Sequence, residues 1–316
     1  MPAGNGSRVT ADRSSTRLFV LIARRAEVAV IFRRGPSKSV LLVRWNLGDD
    51  SFEAGQWLRG RIYERRCDLS PSGERLIYFA ATHRPPFATW TAVSRPPYFT
   101  ALALWPKGDA WGGGGLFRDE NEILLNHQES ALTLAEEYRI PREITVSRLP
   151  YGGGGEDDPI FSDRIARDGW NFLQEAQWLK QPEGGRVSWT SETPEVWSKP
   201  HPAKSGWTLQ MRTLGLHERQ GPWYVTEYAV VDEAGRVLRD LGRADWADWQ
   251  SSGDLLFGKD GKIFRDAMGS GGIDVNPPIR QLIDLTTLKF EGREAVPLAM
   301  EWTGPRPRGV PIGASA

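Results

Sequence analysis

The sequence predicts an all-β protein, on three observations. Short runs of β-branched, leucine and aromatic residues recur along the chain, separated by clusters of Gly, Pro, Ser and Asp. Glycine (34) and tryptophan (14) are abundant while methionine (4) is scarce, the balance of a chain with many turns and large rings between sheets. Helical spacing is confined to residues 129–139 and 162–179, and both stretches fit strand alternation equally well.

The strands follow in order. Leu18–Ile22, Val28–Phe32 and Val40–Trp45 are strand-like, with Gly35-Pro36-Ser37-Lys38 as the turn between the last two. Arg75–Ala80 follows the turn Ser70-Pro71-Ser72-Gly73. Tyr224–Val231 runs through Asp232-Glu233-Ala234-Gly235 into Val237-Leu238, and Asp254–Phe257 through Lys259-Asp260-Gly261-Lys262 into Ile263-Phe264. Asp-Gly favours such tight turns because it tolerates positive φ. Residues 1–16 are polar and aperiodic and are expected to form a disordered tail; 304–316, rich in Pro and Gly, is expected to be irregular. Residues 17–303 form the β domain.

Internal repetition narrows the architecture. Trp111 precedes Gly112–Gly115 and Tyr151 precedes Gly152–Gly155, so an aromatic residue and four glycines recur after about forty residues, the length of one propeller blade. Trp45 and Trp90 repeat at a similar interval. The expectation is a β-propeller of about five to seven four-stranded antiparallel blades, with the glycine runs as flexible loops at equivalent corners. The stretch from Asp68 to Phe79 (DLSPSGERLIYF) resembles the repeat of WD40-like, TolB-type propellers, in which a Ser-Pro-Asp-Gly turn leads into an apolar strand. Asp248–Phe257 (DWQSSGDLLF) is similar but weaker, and Ser72 stands where the family has an acidic residue. The resemblance covers about a tenth of the chain; it implies a blade-forming repeat and a binding role, and carries no active site.

Composition excludes some functions. The formal net charge is zero, which argues against bulk attraction to nucleic acid or anionic lipid. Residues 1–100, however, carry 16 Lys and Arg against 8 Asp and Glu, a basic sector suited to an acidic partner or a phosphate. Cys67 is the only cysteine, so no internal disulfide can form; with no signal-like or membrane-length apolar run, a cytoplasmic location is expected.

No local catalytic signature is present. The four histidines lack metal-ligand spacing, no Gly-x-Ser-x-Gly elbow occurs, and the tetraglycines lack the Gly-Lys-Ser/Thr of a phosphate loop. No cofactor or metal is implied, although Glu156-Asp157-Asp158 with Asp163 forms an acidic cluster. Arg84 and Arg95 head two Arg-Pro-Pro-aromatic corners that could present recognition groups. Trp105 and Trp111, flanking a Pro-Lys-Gly-Asp turn, are expected to reach solvent. With Tyr151, Asp157 and Asp158 these residues are the candidate ligand or partner site. The functional expectation is a non-catalytic propeller that recognises a protein or small ligand on one face. The alternative is a hydrolase or lyase whose acids and bases converge on a central channel from distant blades.

Overall fold

The computed structural model describes residues 16–35, 38–181, 187–219, 221–268 and 278–313. The tail at 1–15 and the Pro36-Ser37 pair of the first turn lie outside them. Thr16, placed in the tail from sequence, is buried, with its hydroxyl 3.2 Å from Arg33 Nη2.

The described strands form five sheets. Sheet 1 contains β1 (Arg17–Ile22), β2 (Val28–Arg34), β3 (Ser39–Asn46) and β4 (Ser51–Arg59). Sheet 2 contains β5 (Arg61–Ile62), β6 (Asp68–Leu69), β7 (Leu76–Ala81), β8 (Thr89–Ser94) and β9 (Ala101–Pro106). Sheet 3 contains β10 (Gly115–Asp119), β11 (Glu122–Leu125) and β12 (Thr145–Arg148), and helix α1 (Ile160–Arg167) follows it. Sheet 4 comprises β13 (Asn171–Gln174), β14 (Leu179–Lys180), β15 (Val187–Pro200), β16 (Thr208–Glu218), β17 (Tyr224–Val231) and β18 (Val237–Arg243). Sheet 5 comprises β19 (Trp246–Trp249), β20 (Leu255–Lys259), β21 (Lys262–Asp266) and β22 (Arg280–Asp284).

The hairpins expected from Tyr224 and from Asp254 are present as β17–β18 and β20–β21. Three expectations about the strands need correction. Only sheet 5 has four strands: sheet 3 has three, sheet 1 gains a fifth from the carboxy-terminal segment, and short strands add to β7 in sheet 2 and to β15 in sheet 4. Pairing is also not wholly antiparallel: β12 lies parallel to β11, reached by the long crossover of residues 126–144 that parallel pairing requires. The carboxy-terminal stretch is not irregular throughout. Val310–Ile312 (β23) adds to β4, secured by the Arg306–Glu53 ion pair at 2.7 Å. Pro311 hides this strand in the sequence, and β23 tolerates a residue without an N–H because it is an edge.

Sheet 1 is buried on both faces, which is why its strands read as continuous apolar runs rather than alternating ones. Val30, Phe32, Val40 and Leu42 pack on Leu76, Tyr78 and Ala80 of sheet 2. Their neighbours Ala29, Ile31, Leu41 and Val43 pack on Leu256, Ile263 and Ile283 of sheet 5. Sheet 2 turns Ile77 and Val93 towards Phe117 and Ile123 of sheet 3, and Tyr228 and Val230 of sheet 4 meet Leu255 and Phe257 of sheet 5. Face-to-face packing therefore runs 4–5–1–2–3.

Turns follow the same order along one end of these sheets. His201 Nε2 lies 3.0 Å from Gly253 O, and Gln250 and Ser251 donate to Glu27 at 2.8 and 2.7 Å. Arg25 N donates to Pro71 O at 2.9 Å, and Ser72 Oγ to Glu120 at 2.7 Å. Ser72 is thus held by an acid from the next sheet. The two repeat-like stretches are equivalent turns, β6–β7 and β19–β20, each closed by a glycine N–H three residues on (Gly73 to Ser70, Gly253 to Gln250).

Helix α1 lies between sheets 3 and 4. Ile160, Phe161, Arg164 and Ile165 form its buried face; Ile160 joins Leu116, Leu124 and Leu149, while Phe161 and Ile165 join Trp197 and Met211. Gly169, at φ 94°, ends the helix.

The tetraglycines are packed rather than free, a correction of the expected flexible loops. Gly112 N donates to Gly155 O at 2.6 Å, and Asn126 ties both runs, accepting Gly153 N at 2.6 Å and Gly113 N at 2.8 Å. Gly113 has φ 89°, and a Cβ there would lie 2.4 Å from the Phe79 ring; one on Gly114 would lie 2.1 Å from Arg66 O. Gly154 lies outside the left-handed region, with Trp111 Nε1 no closer than 3.4 Å. Gly113→Ala is therefore expected to cost about 2–4 kcal/mol and Gly154→Ala less than ~1 kcal/mol in denaturant unfolding. Equal effects at the two positions would contradict this packing account.

Candidate functional site

Edge strands β1, β6 and β19 border a cavity of about 1890 Å³, with α1, the 218–228 hairpin and the 243–245 corner completing its wall. The volume exceeds the ~300–1,000 Å³ of ordinary small-molecule pockets. The lining carries eleven arginines and two lysines against ten Asp and Glu, with several aromatic rings and no histidine.

Most of the carboxylates are engaged. Asp68 accepts two hydrogen bonds from Arg167, at 2.7 and 2.9 Å. Asp168 meets Arg167 Nε at 2.9 Å, Lys199 meets Asp248 at 2.6 Å, and Glu218 meets Arg243 at 2.6 Å. Burial alone would lower the Arg167 guanidinium, but Asp68 and Asp168 hold it above its ordinary value. Burial raises Asp168 despite its arginine partner.

Arg66 and Asp157 organise the wall between sheet 2 and α1. The Arg66 side chain is 4% exposed; its Nε lies 2.8 Å from Asp157 Oδ1, and its Nη1 donates to Ala110 O and Gly112 O, each at 2.7 Å. Its guanidinium sits 4.5 Å from the Tyr63 ring centroid. Asp157 Oδ2 also accepts from Tyr224 Oη at 2.6 Å, which joins sheet 4 to the same pair. Burial, with Asp157 behind it, pushes the Tyr224 phenol up.

Asp245 differs from the other acids. Its carboxylate accepts Leu18 N at 3.1 Å, from an edge-strand amide with no neighbouring strand. By surface exposure it is half-buried, yet it lies deep enough in the wall for desolvation to push it up to about 7, against the opposing pull of Leu18 N–H, Arg17 and Arg243.

The sequence-derived candidates separate in space. Asp157 lines the cavity. Asp158 instead accepts Ser162 Oγ at 2.6 Å on the first turn of α1, and Asp163 bonds Tyr151 Oη, so the acidic cluster is dispersed. Among the described residues no three His, Cys, Asp or Glu converge as a metal site. Trp111 and Tyr151 are exposed but outside the cavity lining. Trp105, expected at the surface, is 1% exposed and packs between sheets 2 and 3. Arg95 is also buried: it donates to Leu298 O, Glu301 O, Thr303 O and Gly304 O, holding the returning carboxy-terminal segment. Arg84 is exposed on the β7–β8 loop, outside the cavity lining. No family model, curated protein or solved structure matches the chain. The cavity arginines went unrecognised because they are scattered from Arg17 to Arg243; the basic excess of residues 1–100 was their only trace in the sequence.

Two outcomes are expected. Asp157→Ala leaves Arg66 buried without its carboxylate and should cost about 3–5 kcal/mol in denaturant unfolding, whereas the apolar pair Arg66→Met with Asp157→Leu should cost less than the single change. A single change under ~1 kcal/mol would contradict this. For Asp245, the unfolded chain releases its proton near 3.8 and the folded protein near 7. Folding takes up a proton between these values, so the contribution to stability is full below pH 3.8, falls as pH rises to 7 and is flat above. Asp245→Asn, which keeps an acceptor for Leu18 N, should stabilise by about 1–4 kcal/mol at pH 8 and change little at pH 4, read by thermal melts. The opposite pH order would refute the buried-carboxyl account.

Proposed function

We propose that the protein is a five-bladed β-propeller of the WD40-like, TolB type that binds a ligand in its axial cavity without transforming it. The 4–5–1–2–3 order of face packing, the repeated turns along one end and the edge strands at the cavity support the blade reading, with α1 as the wedge between the third and fourth blades. The observation that carries the binding reading is the engagement of cavity carboxylates in ion pairs. Asp68, Asp157, Asp168, Glu218 and Asp248 are all held by cations, which leaves them poorly placed to shuttle protons.

Asp245 favours a second reading, a hydrolase with one general acid near neutrality. Native mass spectrometry of the protein purified from its own host separates the outcomes. A non-covalent small molecule at one per chain, unchanged on incubation and retained by Asp245→Asn, supports the binder. A molecule that is cleaved by the native chain and accumulates intact on Asp245→Asn indicates the hydrolase. Partners that cross-link only outside the cavity wall would overturn both.

A further inference from the structure

We infer that this cavity anchors a carboxylate or phosphate group, gripped edge-on by Arg65, with Arg61 on the same wall. The inference rests on the cavity being the binding site. β1 lines the cavity along its length, about 20 Å for a strand of this size, so the two ends are marked by Arg17 and by Arg24. Towards Arg24, Arg167 pairs with Asp68 and Asp168, and Lys199 pairs with Asp248, while Arg24 and Arg164 donate to backbone carbonyls. Towards Arg17 the balance fails. Arg17, Arg34 and Arg61 share one electrostatic neighbourhood with two acids, Asp245, which accepts Leu18 N, and Glu64, which Arg34 engages at 3.4 Å.

Arg65, also in the cavity wall, is distinctive. Its guanidinium carbon lies 3.9 Å from the Phe161 ring centroid and 3.4 Å from that of Tyr224. Two rings so close to one atom cannot share a face, so both faces of the guanidinium are covered and only its N–H edge remains. No hydrogen bond or ion pair occupies that edge among the described residues, and the side chain is half-buried in the cavity wall. Arg61 stacks on Tyr63 at 4.3 Å, and its Nε is buried with no acceptor. A guanidinium held flat offers parallel N–H groups that match two oxygens of one carboxylate or phosphate. The rings are themselves fixed, Tyr224 by its bond to Asp157 at 2.6 Å and Tyr63 between Arg61 and Arg66. The site is thus preorganised for an anion.

Isothermal titration of the intact protein with pyrophosphate, citrate and neutral maltose tests the anchor. At least one of the two anions is expected to bind at one per chain. Pyrophosphate alone would assign a phosphate, citrate alone a carboxylate. Arg65→Ala should weaken that binding about tenfold or more, and Arg65→Lys should recover only part, because a point charge cannot replace the stacked fork. Arg118→Ala, at an exposed residue paired with Glu122 away from the cavity, should leave it unchanged. Arg61→Gln should weaken binding several-fold, and serves if Arg65→Ala fails to fold. Absence of anion binding, anion affinity unchanged in both the Arg65 and Arg61 variants, or an equal loss in Arg118→Ala would overturn the anchor. Maltose binding in the cavity without anion binding would reject the anchor while leaving the binding cavity intact.

Discussion

The Arg66 guanidinium is the junction on which the rest of this structure depends. It is buried, so every N–H it carries must find an acceptor or cost the full desolvation of a charge. Asp157, Ala110 O and Gly112 O accept from its Nε and Nη1, and these bonds help determine where separate segments lie. The glycine run must come close enough for its carbonyl to be reached, which leaves no room for a Cβ on Gly114. The chain entering α1 must bring Asp157 to the same point. Tyr224, bonded to the other oxygen of Asp157, draws in the edge of sheet 4.

That junction lies where the packing of sheet on sheet stops. Sheets 4, 5, 1, 2 and 3 bury their faces against one another in that order, so hydrophobic burial suffices to hold each contact. Between sheets 3 and 4 there is instead a short helix and a polar network. Arg164 donates to the backbone of residues 64, 65 and 67, and Arg167 holds Asp68, so charge fixes the helix to sheet 2 while Ile160 and Phe161 pack it on sheets 3 and 4. Hydrogen bonds to charged groups are directional, and a seam built from them holds its geometry in a way that apolar contacts alone do not.

The cavity follows from bare strand edges. Leu18 N has no strand to pair with and takes the Asp245 carboxylate instead, which puts an acid where water is scarce. The same wall carries arginines whose guanidinium heads stack on aromatic rings. Architecture and charge therefore have one origin: unpaired edges need polar partners, and the partners line the space between them.

Much of the local structure was legible in the residues. Tyr224–Val231 and the strands around Asp260-Gly261 were fixed by apolar runs and turn chemistry, which act over a few residues. The aromatic-tetraglycine repeat marked two segments that do meet, but it could not show that they bond each other around Asn126 rather than stay mobile. Trp105 and Arg95 were misplaced because exposure depends on what covers a residue, and their covers come from sheet 3 and from residues 298–304. β23 escaped notice for the same reason, its pairing being set by β4 some 250 positions earlier and by the Arg306–Glu53 ion pair. By itself the sequence determined the β class, the principal hairpins and the basic excess of the first hundred residues. Only the tertiary structure decided that Arg61 and Arg65 would face a cavity with Tyr224 and Phe161, because stacking and burial join residues that share no local signal.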